Sequence, residues 1–313
     1  MGIVLDPILL SRAIIYSSLL TLISIGLTLT YLTTKVPNFA HATYAALGSY
    51  ITLTSVKVFN WSPYSLLFLA LIIGGITSLA QYQIIFKSLL KKGASVTALM
   101  ITTLAIELIL LSLLNIYADY LSNVLKIRSR YFLYTNLDIE LFGQKGLLII
   151  APLLATITVT LLYLALTRTK FGISMRAAIE DPSLASVMGI NVNLVYSVSW
   201  FIAGGLGSLS GGLLPLWFPA NPDIGARMIV SAFAASVVGG LFNIYGAVLG
   251  GLLIGLSEIL GTSILASSFG AWIIPYRPLI PLIAIAITLL LAPSGLLGVK
   301  WSALARNIQK RFF

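Results

Sequence analysis

The sequence predicts an all-α fold, a polytopic transmembrane helix bundle of about eight to ten spans with one or two short or broken segments. Hydrophobic residues occupy 58% of the chain and charged residues only 9%, whereas a soluble domain has about 25% charged residues. The mean hydropathy is +1.02, and apolar stretches recur along the whole chain. Because lipid can cover such a bundle, we expect residues 1–313 to form a single transmembrane domain.

Nine apolar segments are candidates for spans, and most approach the length of about 20 residues that a bilayer requires. Two of them, 39–58 and 228–242, are the least regular because proline, asparagine or glycine residues border or interrupt them. The nine segments are residues 8–32, 39–58, 63–86, 94–117, 146–167, 194–217, 228–242, 245–262 and 276–293.

The basic residues predict the orientation of the bundle. The formal net charge is +10, and most Lys and Arg residues fall in three groups beside apolar segments. If the spans alternate, all three groups face the cytoplasm, which places the N-terminus and the loop 118–145 outside and the C-terminus inside. An inside N-terminus with a tenth, broken segment is the alternative. The groups are Lys87, Lys91 and Lys92; Arg168, Lys170 and Arg176; and Lys300, Arg306, Lys310 and Arg311.

Several classes of function are excluded by what the sequence lacks. The chain has no cysteine, one histidine and no GxxxxGK(S/T) motif, so we predict no catalytic triad, metal cluster or nucleotide site. The basic residues form no stripe interleaved with aromatic residues, so lipid and not nucleic acid is the expected partner. Any ATP that the protein uses must bind to another subunit.

Polar residues inside the predicted spans are candidates for a substrate pathway, because a charged residue at the bilayer centre costs about 3 kcal/mol or more. Glu107 lies near the middle of 94–117, and Glu258 lies toward the outer end of 245–262. A break at the start of 39–58 contributes Asn38, His41 and Thr43, and broken backbone at membrane depth is tolerated only inside protein or beside a cavity. For each residue, a structural hydrogen bond to a neighbouring helix is the competing interpretation.

The interrupted segment between Arg227 and Gly240 repeats this feature in the second half of the chain. Paired short, broken segments mark the midplane substrate site of many transporters. We therefore hypothesise that both breaks line one pathway. The surrounding spans carry glycines at helical spacing, which predict close helix packing in lipid. These glycines are Gly207, Gly211, Gly246, Gly250, Gly251 and Gly255.

The predicted cytoplasmic loop 169–193 contains signals for a short helix. Asp181 followed by Pro182 is typical of a helix start, and Gly189 of a helix end. Arg176 and Glu180 are available for charge contacts at its edge. Small residues predict a surface that fits into a cleft of another protein, and these are Ala177, Ala178, Ala185 and Ser186.

Three stretches of the chain resemble motifs of a known family, the permeases of branched-chain amino-acid ABC transporters, a group that also includes urea, amide and some sugar permeases. The stretches are Val36–Tyr50 (VPNFAHATYAALGSY), Thr169–Ile190 (TKFGISMRAAIEDPSLASVMGI) and Val237–Glu258 (VVGGLFNIYGAVLGGLLIGLSE). The closing stretch Ala292–Gly298 also resembles the end of that family. The likeness extends over nearly the whole chain.

The resemblance implies a multi-pass permease subunit of the cell membrane that is not itself an enzyme and imports branched-chain or other hydrophobic amino acids. It implies a second, identical or homologous permease, two cytoplasmic ATPase subunits that bind ATP and magnesium, and an extracellular solute-binding protein. It also implies that the loop 169–193 docks on the ATPase through Arg176, Glu180, Asp181, Pro182 and Gly189. A secondary transporter and a passive channel for a small neutral solute such as urea are the alternatives.

Overall fold

The computed structural model of the chain describes residues 6–298, which fold into twelve α-helices and one short β-hairpin. The basic C-terminal residues Lys300, Arg306, Lys310 and Arg311 lie outside the described residues. The first six helices are α1 (Pro7–Thr34), α2 (Thr43–Lys57), α3 (Leu67–Ala80), α4 (Lys87–Lys91), α5 (Val96–Asn123) and α6 (Leu147–Arg168). The remaining helices are α7 (Lys170–Glu180), α8 (Pro182–Val187), α9 (Val192–Leu213), α10 (Ile224–Gly239), α11 (Ile244–Phe269) and α12 (Leu279–Leu291).

Irregular helical segments join or extend several of these helices. A π-helical segment, Gln81–Phe86, makes α3 and α4 continuous, and a 3₁₀ turn, Phe39–Ala42, precedes α2. Further 3₁₀ segments are Thr135–Leu137, Leu214–Leu216 and Ala271–Tyr276. The hairpin pairs β1 (Glu140–Leu141) with β2 (Gln144–Lys145) in antiparallel register.

The helices confirm the predicted polytopic bundle. Within residues 6–298, six helical stretches are long and apolar enough to cross a membrane, and α10 and α12 are shorter apolar helices. The 3₁₀ turn together with α2 forms the ninth segment, so each predicted span corresponds to one helical stretch. Two helices extend well beyond their predicted ends. Helix α5 continues past residue 117 to Asn123, and α11 continues past residue 262 to Phe269.

Helix α1 is the centre of the bundle. It contacts α6, α9, α10 and α11, and it is buried on all sides from Tyr16 to Thr30. Most of its hydroxyl groups are satisfied within the helix or by its neighbours, although the Thr28 hydroxyl has no partner among residues 6–298; the Thr21 hydroxyl, for example, donates to the Ser17 carbonyl at 2.7 Å. The Ser24 hydroxyl donates to the carbonyl of Ala247 on α11 at 2.9 Å. A helix of this composition is therefore suited to a position that lipid does not reach.

Glycines bring the backbones of the central helices into direct contact. A methyl group on Gly250 of α11 would overlap with the Ala235 carbonyl of α10, and one on Gly211 of α9 would overlap with the Ala45 carbonyl of α2. Gly255 likewise lies against Ser17 of α1. Close approach of this kind strengthens van der Waals contact between helices, which matters in lipid because no hydrophobic force drives helices together.

The periphery of the bundle is apolar and exposed. Helices α5, α6 and α12 present leucine and isoleucine side chains outward, including Leu108, Leu161 and Leu290. In water such a surface would aggregate, but in a bilayer it is the expected lipid-facing surface. This arrangement agrees with a multi-pass membrane protein.

The long connection between α5 and α6 is fastened to the rest of the fold by polar contacts. The Tyr64 hydroxyl donates to the Asp138 carboxylate at 2.5 Å, and the same carboxylate accepts the Leu147 amide at the start of α6 at 3.2 Å. Burial, together with the bond to Asp138, raises the pKa of Tyr64 above its ordinary value. The backbone of Phe132 also pairs with that of Ala220 ahead of α10.

Gly250→Ala should destabilise the bundle. A glycine-to-alanine change gains up to about 1 kcal/mol of helix propensity, whereas overpacking costs about 1–3 kcal/mol, so the overlap with the Ala235 carbonyl should prevail. We expect a lower melting temperature of the detergent-purified protein. Gly261→Ala on the same helix is the control, because its nearest neighbour is the flexible end of Ile280 at 3.2 Å. Equal melting temperatures for the two variants would contradict the packing described for α10 and α11.

Candidate functional site

The break between α1 and α2 is enclosed within the bundle. Helix α1 ends at Thr34, and Lys35 follows it in the left-handed conformation. The Asn38 side chain accepts the Ala40 amide at 3.2 Å to start the 3₁₀ turn. The His41 side chain is fully buried, and its Nε2 donates to the Ile23 carbonyl of α1 at 3.0 Å. The structure therefore places Asn38 and His41 together, at a break that protein surrounds as the sequence argument requires.

A buried polar cluster surrounds this break. The Tyr44 hydroxyl donates to the side-chain oxygen of Gln81, and the Gln81 amide group donates to the Asn38 side chain at 3.4 Å. Gln81 is the first residue of the π-helical segment, and π-helical turns occur frequently at functional sites. The cluster thus connects the break to the end of α3.

Some atoms of this cluster have no hydrogen-bond partner among residues 6–298. They include Asn38 Nδ2, His41 Nδ1 and the Ser78 hydroxyl oxygen. A buried polar group without a partner costs about 1–3 kcal/mol. The contact between the break and α3 is therefore stabilised less than its dense packing alone would suggest.

The second interrupted segment lies against the first. A methyl group on Gly225, at the start of α10, would lie 2.7 Å from the Ala42 carbonyl, and the rings of Phe39 and Phe233 are 5.1 Å apart. Thr43 lies at this contact and also lines an apolar cavity of about 440 Å³ between α2, α3 and α5. The structure therefore brings together the two breaks that the sequence hypothesis paired.

The two intramembrane carboxylates lie apart from this centre and from each other. Glu107 is half-buried on α5 and makes no hydrogen bond or ion pair with any residue of the described range 6–298. One turn away, the Thr103 hydroxyl donates to the Pro37 carbonyl at 3.4 Å, so Glu107 lies near the break without entering it. Its position at an accessible face of α5 favours contact with a partner or with water over contact with lipid.

Glu258 belongs to a separate ion-pair cluster formed by α1, α11 and the segment before α12. Its carboxylate accepts the Arg277 Nε at 2.7 Å and the Tyr16 hydroxyl at 3.2 Å. The Arg277 guanidinium group also lies 4.4 Å from the centre of the Tyr16 ring. Only 4% of Glu258 is exposed, so the pair compensates a charge that would otherwise be buried alone.

The loop 169–193 folds into α7 and α8, which are held against α6 and α9. Arg176 Nη1 donates to the Leu166 carbonyl near the end of α6, and the Tyr196 hydroxyl of α9 donates to the Ala178 carbonyl at 3.0 Å. Asp181 caps α8, because its side chain accepts the amides of Ser183 and Leu184, each at 2.9 Å. The helix pair is therefore attached firmly to two long helices.

The exposed surface of α8 differs from the one that the small residues predicted. Ala178 on α7 and Ala185 on α8 are buried against this chain itself, so they are not available to a partner, whereas Ala177 is half-buried and Ser186 is exposed. Glu180, Asp181, Pro182 and Gly189 are exposed, with φ of +84° at Gly189 ending the helix. Large apolar side chains project instead, and these are Leu184, Val187 and Met188 with exposed fractions of 60%, 83% and 75%.

The sequence analysis missed Gln81, Tyr44 and Arg277. Gln81 and Tyr44 lie in different predicted spans, and only the fold shows that they meet. A signal for Arg277 was present, because this arginine at the start of the predicted span 276–293 follows the intramembrane Glu258 by 19 residues. Opposite charges on either side of a helical hairpin can pair when the two helices are antiparallel.

Within residues 6–298, six helices that are long and apolar enough to cross a membrane, an enclosed polar break and a firmly attached helix pair at one end define a multi-pass membrane protein of the transport-permease class. Comparisons with known proteins agree. Residues 9–293 match the family described as “Branched-chain amino acid transport system / permease component”. The chain therefore belongs to this permease family, as its motifs indicated.

Individual relatives match over most of their length. The chain is 46% identical over 301 residues to the probable branched-chain amino acid transport permease protein LivH of Methanocaldococcus jannaschii, covering 96% of this chain and 95% of that protein. It is 27% identical to the high-affinity branched-chain amino acid transport system permease protein BraD of Pseudomonas aeruginosa, covering 88% and 91%. The solved structure of PsaBC from Streptococcus pneumoniae in complex with Fab is similar in fold, with a TM-score of 0.52, 15% identity and coverage of 91% and 92%.

Asp181→Ala should fray α8. Loss of an N-cap costs about 1 kcal/mol, which corresponds to about a fivefold change in an opening equilibrium. We expect the Ser183 and Leu184 amides to exchange hydrogen for deuterium about fivefold faster in this variant than in the wild type. Asp181→Ser is the control, because serine keeps a capping oxygen, and the same two amides should exchange at nearly the wild-type rate. Unchanged exchange in the alanine variant would contradict the capping role.

Proposed function

We propose that this chain is the membrane-spanning permease subunit of an ATP-driven importer of branched-chain or other hydrophobic amino acids. The substrate class follows the names of the relatives, which are branched-chain amino acid permeases. The sequence contains no phosphate-binding loop, so ATP and magnesium would bind to two cytoplasmic ATPase subunits. A second permease and an extracellular solute-binding protein would complete the assembly.

The observation that carries this proposal is the apolar surface of α8. Leu184, Val187 and Met188 project from a capped, rigid helix beside the charged groups of Glu180 and Asp181. Exposed apolar side chains surrounded by polar groups are typical of protein interfaces. In the proposed orientation this surface lies in the cytoplasm and docks on an ATPase subunit.

The contacts of α7 give a physical route from the ATPase to the break. A force on α8 would move α7, and the hydrogen bond between Ala178 and Tyr196 would transmit the displacement to α9. Further along α9, the Trp200 indole donates to the Thr33 hydroxyl near the end of α1 at 3.0 Å. A methyl group on Gly207 of α9 would then lie 3.3 Å from the Cβ of Tyr44, so the two residues are neighbours.

ATP binding and hydrolysis would therefore rock α9 against the break and α10, opening the pathway alternately to the two sides. In this mechanism the chain performs no covalent chemistry. Asn38, His41 and Thr43 would line or control the pathway, and Glu107 would contact water or the second permease.

Reconstituted transport tests this function. The complete assembly in liposomes should accumulate radiolabelled leucine when ATP and the solute-binding protein are supplied on the appropriate sides. Collapse of the proton and sodium gradients should leave uptake unchanged. Uptake that follows an ion gradient without ATP would identify a secondary transporter, and passive equilibration of urea would identify a channel.

Val187→Asp should weaken docking of the ATPase. A charge in the centre of an apolar contact costs at least about 1.4 kcal/mol, or tenfold in affinity, so the ATPase should co-purify at a much lower ratio. Phe142→Asp is the matched control, because Phe142 is 95% exposed on the β-hairpin that precedes α6, whereas α7 and α8 follow the other end of α6. Equal ATPase recovery with both variants would argue against docking through α8.

A further inference from the structure

A cavity of about 410 Å³ lies between α1, α10, α11 and the start of α12. Its volume falls within the range of about 300–1,000 Å³ found for small-molecule sites. The charged residues in its wall are Arg227, Glu258 and Arg277, so two cations face one anion. The apolar part of the wall is formed by residues that include Leu214, Phe218, Ile224, Met228 and Val230.

The positive charge in this cavity is held in place. Glu258 is bonded by both Tyr16 and Arg277, and the Arg277 guanidinium group is further restrained over the Tyr16 ring. The ion pair with Glu258 uses the Nε of Arg277, whereas a guanidinium group has five N–H donors. The Arg277 side chain remains 28% exposed, so part of it is accessible from the cavity.

Arg227 supplies the uncompensated charge. It is exposed, and it makes no hydrogen bond or ion pair through its side chain with any residue between 6 and 298. It lines the same cavity as the Glu258–Arg277 pair. The cavity therefore has a net charge of +1, with one arginine fixed and the other able to move toward a ligand.

A carboxylate is the group that this wall fits best. Arginine binds carboxylates through paired N–H donors, and one carboxylate would neutralise the excess charge. The remaining wall would cover an aliphatic side chain. We propose that this cavity binds the α-carboxylate of a hydrophobic amino acid through Arg227 and Arg277, as a site on the permease itself through which the solute enters. This inference rests on the proposed function for the identity of the solute.

Site-directed alkylation tests the proposal, because the natural chain contains no cysteine. Ala226 is exposed and lines the cavity, so Ala226→Cys introduces one reporter thiol. In the complete assembly in nanodiscs, leucine at ten times its Kd should slow the reaction with a maleimide about tenfold, by mass action. Leucinamide lacks the carboxylate and should leave the rate unchanged. Asn123→Cys is the control, because Asn123 is an exposed residue at the end of α5. Its thiol should react at the same rate without ligand, with leucine and with leucinamide.

Charge variants then test the arginine. Protection by leucine should be lost when Arg227→Gln is combined with Ala226→Cys, and it should persist with Arg128→Gln, which removes an exposed arginine outside the cavity. No protection by leucine, or equal protection by leucine and leucinamide, would overturn the proposal. ATP-driven uptake without protection would reject this site and retain the proposed function. Protection without ATP-driven uptake would retain the site and reject the importer.

Discussion

Hydrocarbon offers no hydrogen bonds to a polypeptide, and the break between α1 and α2 is the place where this constraint shapes the fold most strongly. The turn at Phe39–Ala42 interrupts regular helical bonding at a point that lipid cannot satisfy. The bundle therefore surrounds it with α1, α5, α9 and α10. Close packing is possible there because Gly26 of α1, Gly207 of α9 and Gly225 of α10 lie against the break, so that backbone replaces solvent as its neighbour.

Enclosure of this kind creates two polar centres with different properties. Around the break, neutral side chains such as Asn38, His41 and Gln81 are buried, and several of their atoms lack a partner within the described residues. At the other centre, Glu258 and Arg277 are charged and form an ion pair with each other, and they border a cavity. An incompletely satisfied network can rearrange at low cost, whereas an ion pair holds its geometry. The first is suited to movement and the second to recognition.

The fold could be predicted further than the site, for reasons that individual residues illustrate. Composition alone identifies membrane helices, and Pro37 and Asn38 at the start of the second span reveal the break in sequence. Local chemistry likewise predicts the cap at Asp181, because a cap acts within three residues. By contrast, the pairing of Glu258 with Arg277 and of Gln81 with Tyr44 depends on which helices are neighbours. The direction in which Ala185 faces depends on the rotation of α8, which its small-residue composition does not reveal.

The short helix α12 has a consequence for the surrounding lipid. Its 13 residues extend about 20 Å at 1.5 Å per residue, whereas the hydrocarbon core is about 30 Å thick. Because α12 lies at the periphery with Leu290 and Leu291 outward, lipid meets a helix shorter than the hydrocarbon core at this edge of the bundle. A thinner bilayer would therefore fit this edge with less elastic strain than a thicker one.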